Sequence, residues 1–301
     1  MKGQLRGVLA PVVTPFARAN QSINAAAFRD NVAAHLGAGL SGVVVAGSTG
    51  EAALLDEDER AMLVEAARDL VPDDRWLLAG VGGESTRHTV RRAREAGKRG
   101  ADAVLVVAPH YYGAAAMTEA ALLVHYRRVA DECPVPVVLY NIPKYMHFSL
   151  PPAVVAQLSK HPNITGMKDS SGDAALNAAY LTLQSERFSV LTGHGGTFAD
   201  ALERGARGGI LAVALFAPRL CLAVIDSYLA GDAEGARRAQ ARLTPLALEI
   251  VGKMQISGIK AALDLVGLTG GDPRHPLLPL TPNEVARVGE LLRAAELALA
   301  A

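Results

Sequence analysis

The chain has 301 residues, half of them apolar, with 30 basic and 30 acidic side chains and few aromatics. A formal net charge of zero argues against nucleic acid or an anionic membrane as the main partner, since both demand clustered positive charge. Two cysteines, Cys133 and Cys221, make no disulfide framework. There is no signal-peptide pattern in Met1–Thr14, and no apolar run approaches the roughly 18 residues that span a bilayer, so a soluble cytoplasmic protein is expected.

Short β-branched runs alternate with longer amphipathic stretches along the chain. Val8–Val13 comes first, and Phe28, Val32 and Leu36 at four-residue spacing predict a helix after it. Gly42–Ala46 follows, then a helix opened by the negative charges of Asp56–Glu59, which suit the positive end of the helix dipole. After Trp76–Val81, Ser85 offers a cap for a helix through Val90. Ala103–Ala108 and Val135–Tyr140 are the next runs, and Pro151 and Pro152 mark a helix start. Ile164–Lys168, Phe188–Thr192 and Gly209–Val213 complete a set of eight. Each is too short for a helix and too apolar for a one-sided strand, so buried parallel strands are predicted.

Eight strand–helix units without a dinucleotide fingerprint predict an α/β fold, a single (β/α)8 TIM barrel, in preference to an open doubly wound sheet. Residues 1–216 are assigned to the barrel core. Residues 217–301 read as the last barrel helix and a small helical C-terminal extension packed on the barrel, broken near Gly231, Gly252 and the Gly270–Pro282 loop.

Barrel sites lie at the C-terminal ends of the strands. The residue of most interest there is Lys168, which ends the apolar run Ile164–Met167. A lysine is almost never buried without a reason. One reading is a buried ion pair with Asp169 or Glu51; the other is a nucleophilic amine. At an ordinary pKa near 10.4 only about a thousandth of the amine is neutral at pH 7, and burial raises that fraction. Ser48 and Thr49 lie in a glycine-flanked turn whose hydroxyls and backbone N–H groups suit a small carboxylate, or simply cap a helix. Tyr140 ends the strand beside Lys168, either as a proton donor and acceptor or as a half-buried rim residue. Tyr111 and Tyr112 form a second phenolic pair, for a proton relay or an interface. Among the histidines, His110, His147 and His194 are placed at the barrel mouth without metal-ligand spacing, so no metal is expected, whereas His35, His88 and His125 read as helix-surface residues.

The ordered motifs GSTGE (47–51), PHYY (109–112), YNIP (140–143) and GMKDSSGD (166–173) resemble the N-acetylneuraminate lyase and dihydrodipicolinate synthase superfamily of class I pyruvate-dependent aldolases, over nearly the whole chain. The resemblance implies that Lys168 is the Schiff-base lysine and Tyr140 the general acid/base. It implies that Ser48 and Thr49, beside Gly47, hold the pyruvate carboxylate, with Thr49 also joining the relay. Tyr111 would be a relay tyrosine that crosses a subunit boundary, which implies a homodimer or homotetramer. Leu211 and Ala212 would form pocket wall, and Gly193 and Gly195 its backbone edge. No cofactor is implied.

Dihydrodipicolinate synthases carry an Arg five residues after the motif tyrosine to grip the carboxylate of aspartate semialdehyde. Here that position is Tyr145, beside Lys144, and an ammonium does not reproduce an Arg fork. The segments 80–86, 125–140, 158–173 and 258–282 look closest to the 4-hydroxy-2-oxoglutarate aldolase branch, which splits its substrate into pyruvate and glyoxylate. Dihydrodipicolinate synthase and a 2-keto-3-deoxy sugar acid aldolase or dehydratase are the alternatives within the class. A metal-dependent aldolase and a non-catalytic 2-oxo acid binding protein are the alternatives outside it. For a substrate with a distal carboxylate, Lys144, His147 and His194 are the candidate contacts.

Overall fold

A computed structural model describes residues 3–300; Met1, Lys2 and Ala301 lie outside the described residues. Eight strands form a closed parallel barrel in chain order: β1 Gly7–Pro11, β2 Gly42–Val45, β3 Trp76–Gly80, β4 Ala103–Val107, β5 Val137–Asn141, β6 Ile164–Asp169, β7 Ser189–Thr192 and β8 Gly208–Ile210. Each strand pairs with the next, and β8 pairs back to β1 through Gly7↔Gly208, Val8↔Gly209 and Leu9↔Ile210. The predicted runs find these strands, with ends displaced by up to three residues. The largest displacement is at β8, because the chain leaves the sheet after Ile210 and turns into a 3₁₀ helix, Ala212–Leu215.

The strands are buried on both faces, as their near-continuous apolar sequence requires: every residue of β2 and β5 is buried. Covering helices follow each strand: α1 Ala25–Gly37, α2 Glu57–Arg68, α3 Thr86–Lys98, α4 Glu119–Glu132, α5 Pro152–Leu158, α6 Ala174–Leu181, α7 Phe198–Glu203 and α8 Pro218–Leu229. Their starts carry local signals. Asp56 and Glu59 form a reciprocal capping box on α2, Ser85 caps α3, and proline opens α5 and α8.

Two histidines expected on helix surfaces are instead in the core. His35 is 1% exposed and His125 4%. His35 lies three residues after Val32 and seven after Phe28, which is the buried face of α1; His125 lies three residues after Leu122 and four before Val129, on the buried face of α4. Burial pulls both imidazoles down to about 4, so they are neutral at pH 7, and His125 Nδ1 lies 2.9 Å from the Thr86 hydroxyl. His88 is exposed, as expected.

Beyond α8 the chain is helical. Helix α9, Ala233–Pro245, runs on as a π-helix, Leu246–Met254, then breaks and resumes as α10, Gln255–Leu265; α11 spans Pro282–Ala294. The break falls at Gln255 (φ 56°, ψ −139°) and not at Gly252, which lies inside the π-helix. A glutamine in this left-handed region is strained, and such residues persist only where the surroundings hold them. Residues on both sides of the break, Ala247 to Val251 and Ile256 to Ile259, contribute to the wall of one cavity at the barrel mouth.

Candidate active site

Strands β5 and β6 set Tyr140 directly opposite Lys168 in their parallel register. Lys168 is 5% exposed, with its Nζ 3.4 Å from the Tyr140 hydroxyl and 4.4 Å from the centre of the phenol ring. The ion-pair reading does not hold among the described residues. Asp169 accepts hydrogen bonds from Asn141, Ser171 and Asn177, and Glu51 pairs with Lys260 at 2.6 Å. With no opposing carboxylate, burial pushes the Lys168 ammonium down to about 7. A sizeable fraction of the amine is therefore neutral at neutral pH. Burial pushes the Tyr140 phenol up to about 12, against the opposing effect of side-chain hydrogen bonds with Ser170 and Ser48. The phenol thus stays protonated and is available as a donor.

Gly193, one residue past β7, is required by close approach. A Cβ there would sit 1.9 Å from Ser170 Oγ and 2.6 Å from Lys168 Cε. Any side chain would displace the lysine stem.

A cavity of about 150 Å³ opens over Lys168. Its inner end is polar, with Ser48, Thr49, Tyr140, Ser170 and Lys168. Ser48–Gly50 forms one 3₁₀ turn, closed by Glu51 in the left-handed conformation. The outer end is mostly apolar: Ile142 and Ala212 from the barrel, and Ala247, Leu248, Val251, Ile256 and Ile259 from the extension. Lys144, Tyr145, His194 and Gln255 are its polar rim. Lys144 Nζ donates to the Gly252 carbonyl at 2.9 Å. Burial lowers the pKa of His194, whose Nδ1 lies 3.1 Å from the Thr197 hydroxyl.

Other candidates fall outside the cavity. Gly47 precedes the 3₁₀ turn, and its carbonyl accepts from the Gly50 and Ala52 N–H groups. Of the two residues expected as pocket wall, Ala212 lines the cavity, together with Ile210, whereas Leu211 between them is fully buried, as where successive side chains alternate sides. His147 is exposed, in the left-handed conformation at the end of a one-turn helix, Pro143–Met146. His110 lies 3.3 Å from Glu84, also away from the cavity. Tyr111 is 79% exposed and packs edge-on against Tyr112.

Sequence reasoning did not find Ser170 as a partner of Tyr140, although it lies in the quoted motif. It also missed the wall from Ala247 to Ile259, which carries no chemical signature because it is built from ordinary helix residues. Lys260 was legible by the same criterion as Lys168, a lone lysine within an apolar stretch.

Residues 4–295 match the model of the dihydrodipicolinate synthetase family. The 4-hydroxy-tetrahydrodipicolinate synthase of Nitrobacter hamburgensis is 36% identical over 285 residues, covering 93% of each chain. That of Exiguobacterium sp. is 31% identical over 282 residues, covering 94% of this chain and 95% of the relative. Among solved structures, YagE, a prophage protein of the dihydrodipicolinic acid synthase family from E. coli K12 in complex with pyruvate, superposes with a TM-score of 0.92 at 27% identity, covering 98% of this chain and 99% of that one. These relatives bear out the superfamily resemblance. Their names point to dihydrodipicolinate synthase and not to the 4-hydroxy-2-oxoglutarate aldolase branch. The chain belongs to the dihydrodipicolinate synthetase family, whose members are class I, pyruvate-dependent carbon–carbon lyases.

Proposed function

We propose that this protein forms a Schiff base between Lys168 and pyruvate, or the pyruvyl end of a longer 2-oxo acid. The observation that carries the reading is a buried lysine with no carboxylate partner among the described residues, its pKa pulled to about 7, against the hydroxyl of Tyr140. The neutral amine attacks the 2-oxo carbon. Tyr140 delivers a proton to the departing hydroxyl of the carbinolamine, and water leaves. The protonated imine then accepts the electron pair released when the Tyr140 phenolate takes a C3 proton, or takes the C4 hydroxyl proton as the C3–C4 bond breaks, giving the enamine and restoring the phenol. In the synthetic direction the enamine attacks an aldehyde, and the phenol protonates the new alkoxide. Ser48 and Thr49, at the polar end of the cavity, are the residues for the pyruvate carboxylate. Tyr111 joins this relay only in an assembly of two or more copies, since in one chain it is exposed outside the cavity.

For the aldehyde, the relatives' names support condensation of pyruvate with aspartate semialdehyde, as in 4-hydroxy-tetrahydrodipicolinate synthase. One observation favours a second reading, cleavage of 4-hydroxy-2-oxoglutarate to pyruvate and glyoxylate. The position expected for a carboxylate-gripping Arg holds Tyr145, and the neighbouring Lys144 ammonium is bound to the Gly252 carbonyl. The cavity of about 150 Å³ suits a short partner.

The test is incubation with pyruvate and borohydride, followed by peptide mass mapping. One adduct per chain on Lys168 is expected, and a folded protein that forms none would overturn the reading. Steady-state comparison of aspartate semialdehyde with glyoxylate as acceptors then chooses between the two partners.

A further inference from the structure

Outside the reacting groups, the most completely buried ion pair described joins Lys260 of α10 to Glu51. Their side chains are 1% and 0% exposed, and Nζ lies 2.6 Å from Oε1. Lys260 also donates to the carbonyls of Thr14 and Asp272, both at 2.9 Å, and stands 4.6 Å over the Phe16 ring. The second oxygen of Glu51 accepts from the Arg274 backbone N–H at 2.8 Å. Thus one carboxylate is gripped from two places in the C-terminal extension.

Glu51 is no ordinary surface acid. It closes the Ser48–Gly50 turn in the left-handed conformation (φ 59°), which a non-glycine residue adopts only when it is held there. Thr14, whose carbonyl Lys260 takes, donates its own hydroxyl to the Gly50 carbonyl at 2.7 Å. The lysine therefore reaches the turn by two routes, through Glu51 and through Thr14. Ser48 and Thr49 face the cavity from that turn, and Ser48 also hydrogen-bonds Tyr140.

We propose that Lys260 is a positioning residue for 2-oxo acid binding. Its ammonium, held by the extension, fixes Glu51 and Thr14 and so sets where the Ser48 and Thr49 hydroxyls meet the substrate carboxylate. This rests on the proposed Schiff-base reading. Lys260 does not touch the reacting atoms, and its effect is read first in carboxylate binding.

The experiment measures borohydride trapping of pyruvate at Lys168 against pyruvate concentration and pH, for the parent, Lys260→Met, and the double variant Lys260→Met/Glu51→Gln. The double variant leaves no buried charge unpaired, so it keeps the test open if the single variant does not fold. The expected result in either folded variant is a pyruvate half-saturation raised tenfold or more. The trapping rate at saturating pyruvate and its pH midpoint should stay within twofold and 0.3 units of the parent, because neither substituted residue touches Lys168 or Tyr140. Half-saturation within twofold of the parent would overturn the proposal and leave the pair a purely structural clamp. So would a fall in the saturated rate with half-saturation unchanged. If the parent itself traps no pyruvate, the Schiff-base reading fails, an outcome distinct from failure of the positioning role.

Discussion

Among the described residues two lysines are buried, and the regions around them are opposites. Lys168, on the barrel's inner wall, has one phenol for a neighbour and no acid. Lys260, beneath the extension, has a carboxylate at 2.6 Å and two carbonyls at 2.9 Å. Desolvation lowers the pKa of both, but at Lys260 the charge of Glu51 opposes it, with Asp264 and Asp272 adding to the opposition. Burial alone thus favours the neutral amine, whereas burial with a matched acid holds the ammonium in an ion pair. The chemistry of the site depends on what has been kept away from Lys168 as much as on what has been put beside it.

The sharpest way to break this contrast is to remove each amine. Lys168→Met is expected to abolish the borohydride-trapped adduct and lower turnover by at least about 10³-fold, since Lys168 is the buried amine beside Tyr140 and the Lys144 ammonium is tied to the Gly252 carbonyl. The same change should leave stability equal or higher, because it removes a desolvated amine without orphaning a partner. Lys260→Met should do the reverse to stability, lowering it by about 3–5 kcal/mol by leaving the Glu51 carboxylate buried and unpaired. Chemical denaturation of the two variants side by side checks both signs. If both variants were destabilised to the same extent, the distinction would be lost.

Next in size is Tyr140→Phe, which keeps the ring over the lysine and removes the proton. A fall in turnover of about 10²–10⁴-fold is expected, with pyruvate half-saturation changed much less. A variant retaining more than a tenth of parental turnover would show that the proton travels by another route.

The third effect is on pH. The attacking amine must be neutral, and burial places Lys168 at about 7. The imine-forming rate at low pyruvate should therefore fall about tenfold per pH unit below 7 and level off above it. Stability follows with a definite sign. The folded-state pKa lies below the ordinary lysine value, so between about 7 and 10.5 the unfolded chain binds more protons and stability rises with pH. Lys168→Met should flatten that rise, by an amount on the order of 4 kcal/mol across the window. Thermal melts at pH 7 and pH 10 measure it.

The smallest effect belongs to a lysine in neither class. Lys98 is exposed and pairs with Glu95 at 3.0 Å. Lys98→Ala should alter stability by no more than about 0.5 kcal/mol and leave turnover unchanged.

How much was legible in the sequence follows from the same physics. The strands were readable because strands buried on both faces spell themselves as short apolar runs. Lys168 and Tyr140 stood out as candidates because a lysine or tyrosine ending such a run breaks the pattern at the C-terminal ends of the strands. His35 and His125 were misplaced because residue type outweighed their position on the apolar face. Of Leu211 and Ala212, named together as pocket wall, only Ala212 faces the cavity, because in a strand-like segment one residue reverses the side chain's direction. The wall from Ala247 to Ile259 was illegible for a deeper reason. A π-helix and a left-handed Gln255 decide which of its residues face the cavity, and no local periodicity encodes either.

The ring closes at its shortest strand. β8 has three residues, meets β7 through the single pair Thr192↔Gly209, and passes so close to β1 that a Cβ on Gly208 would lie 2.0 Å from the Gly7 carbonyl. This seam has the fewest ladder bonds to break, and it lies next to the segment that runs from β7 through Gly193 to His194. Under mild denaturant the hoop is expected to part there first. Inactivation would then run ahead of unfolding, and the enzyme would lose its grip on substrate while most of its barrel still stood.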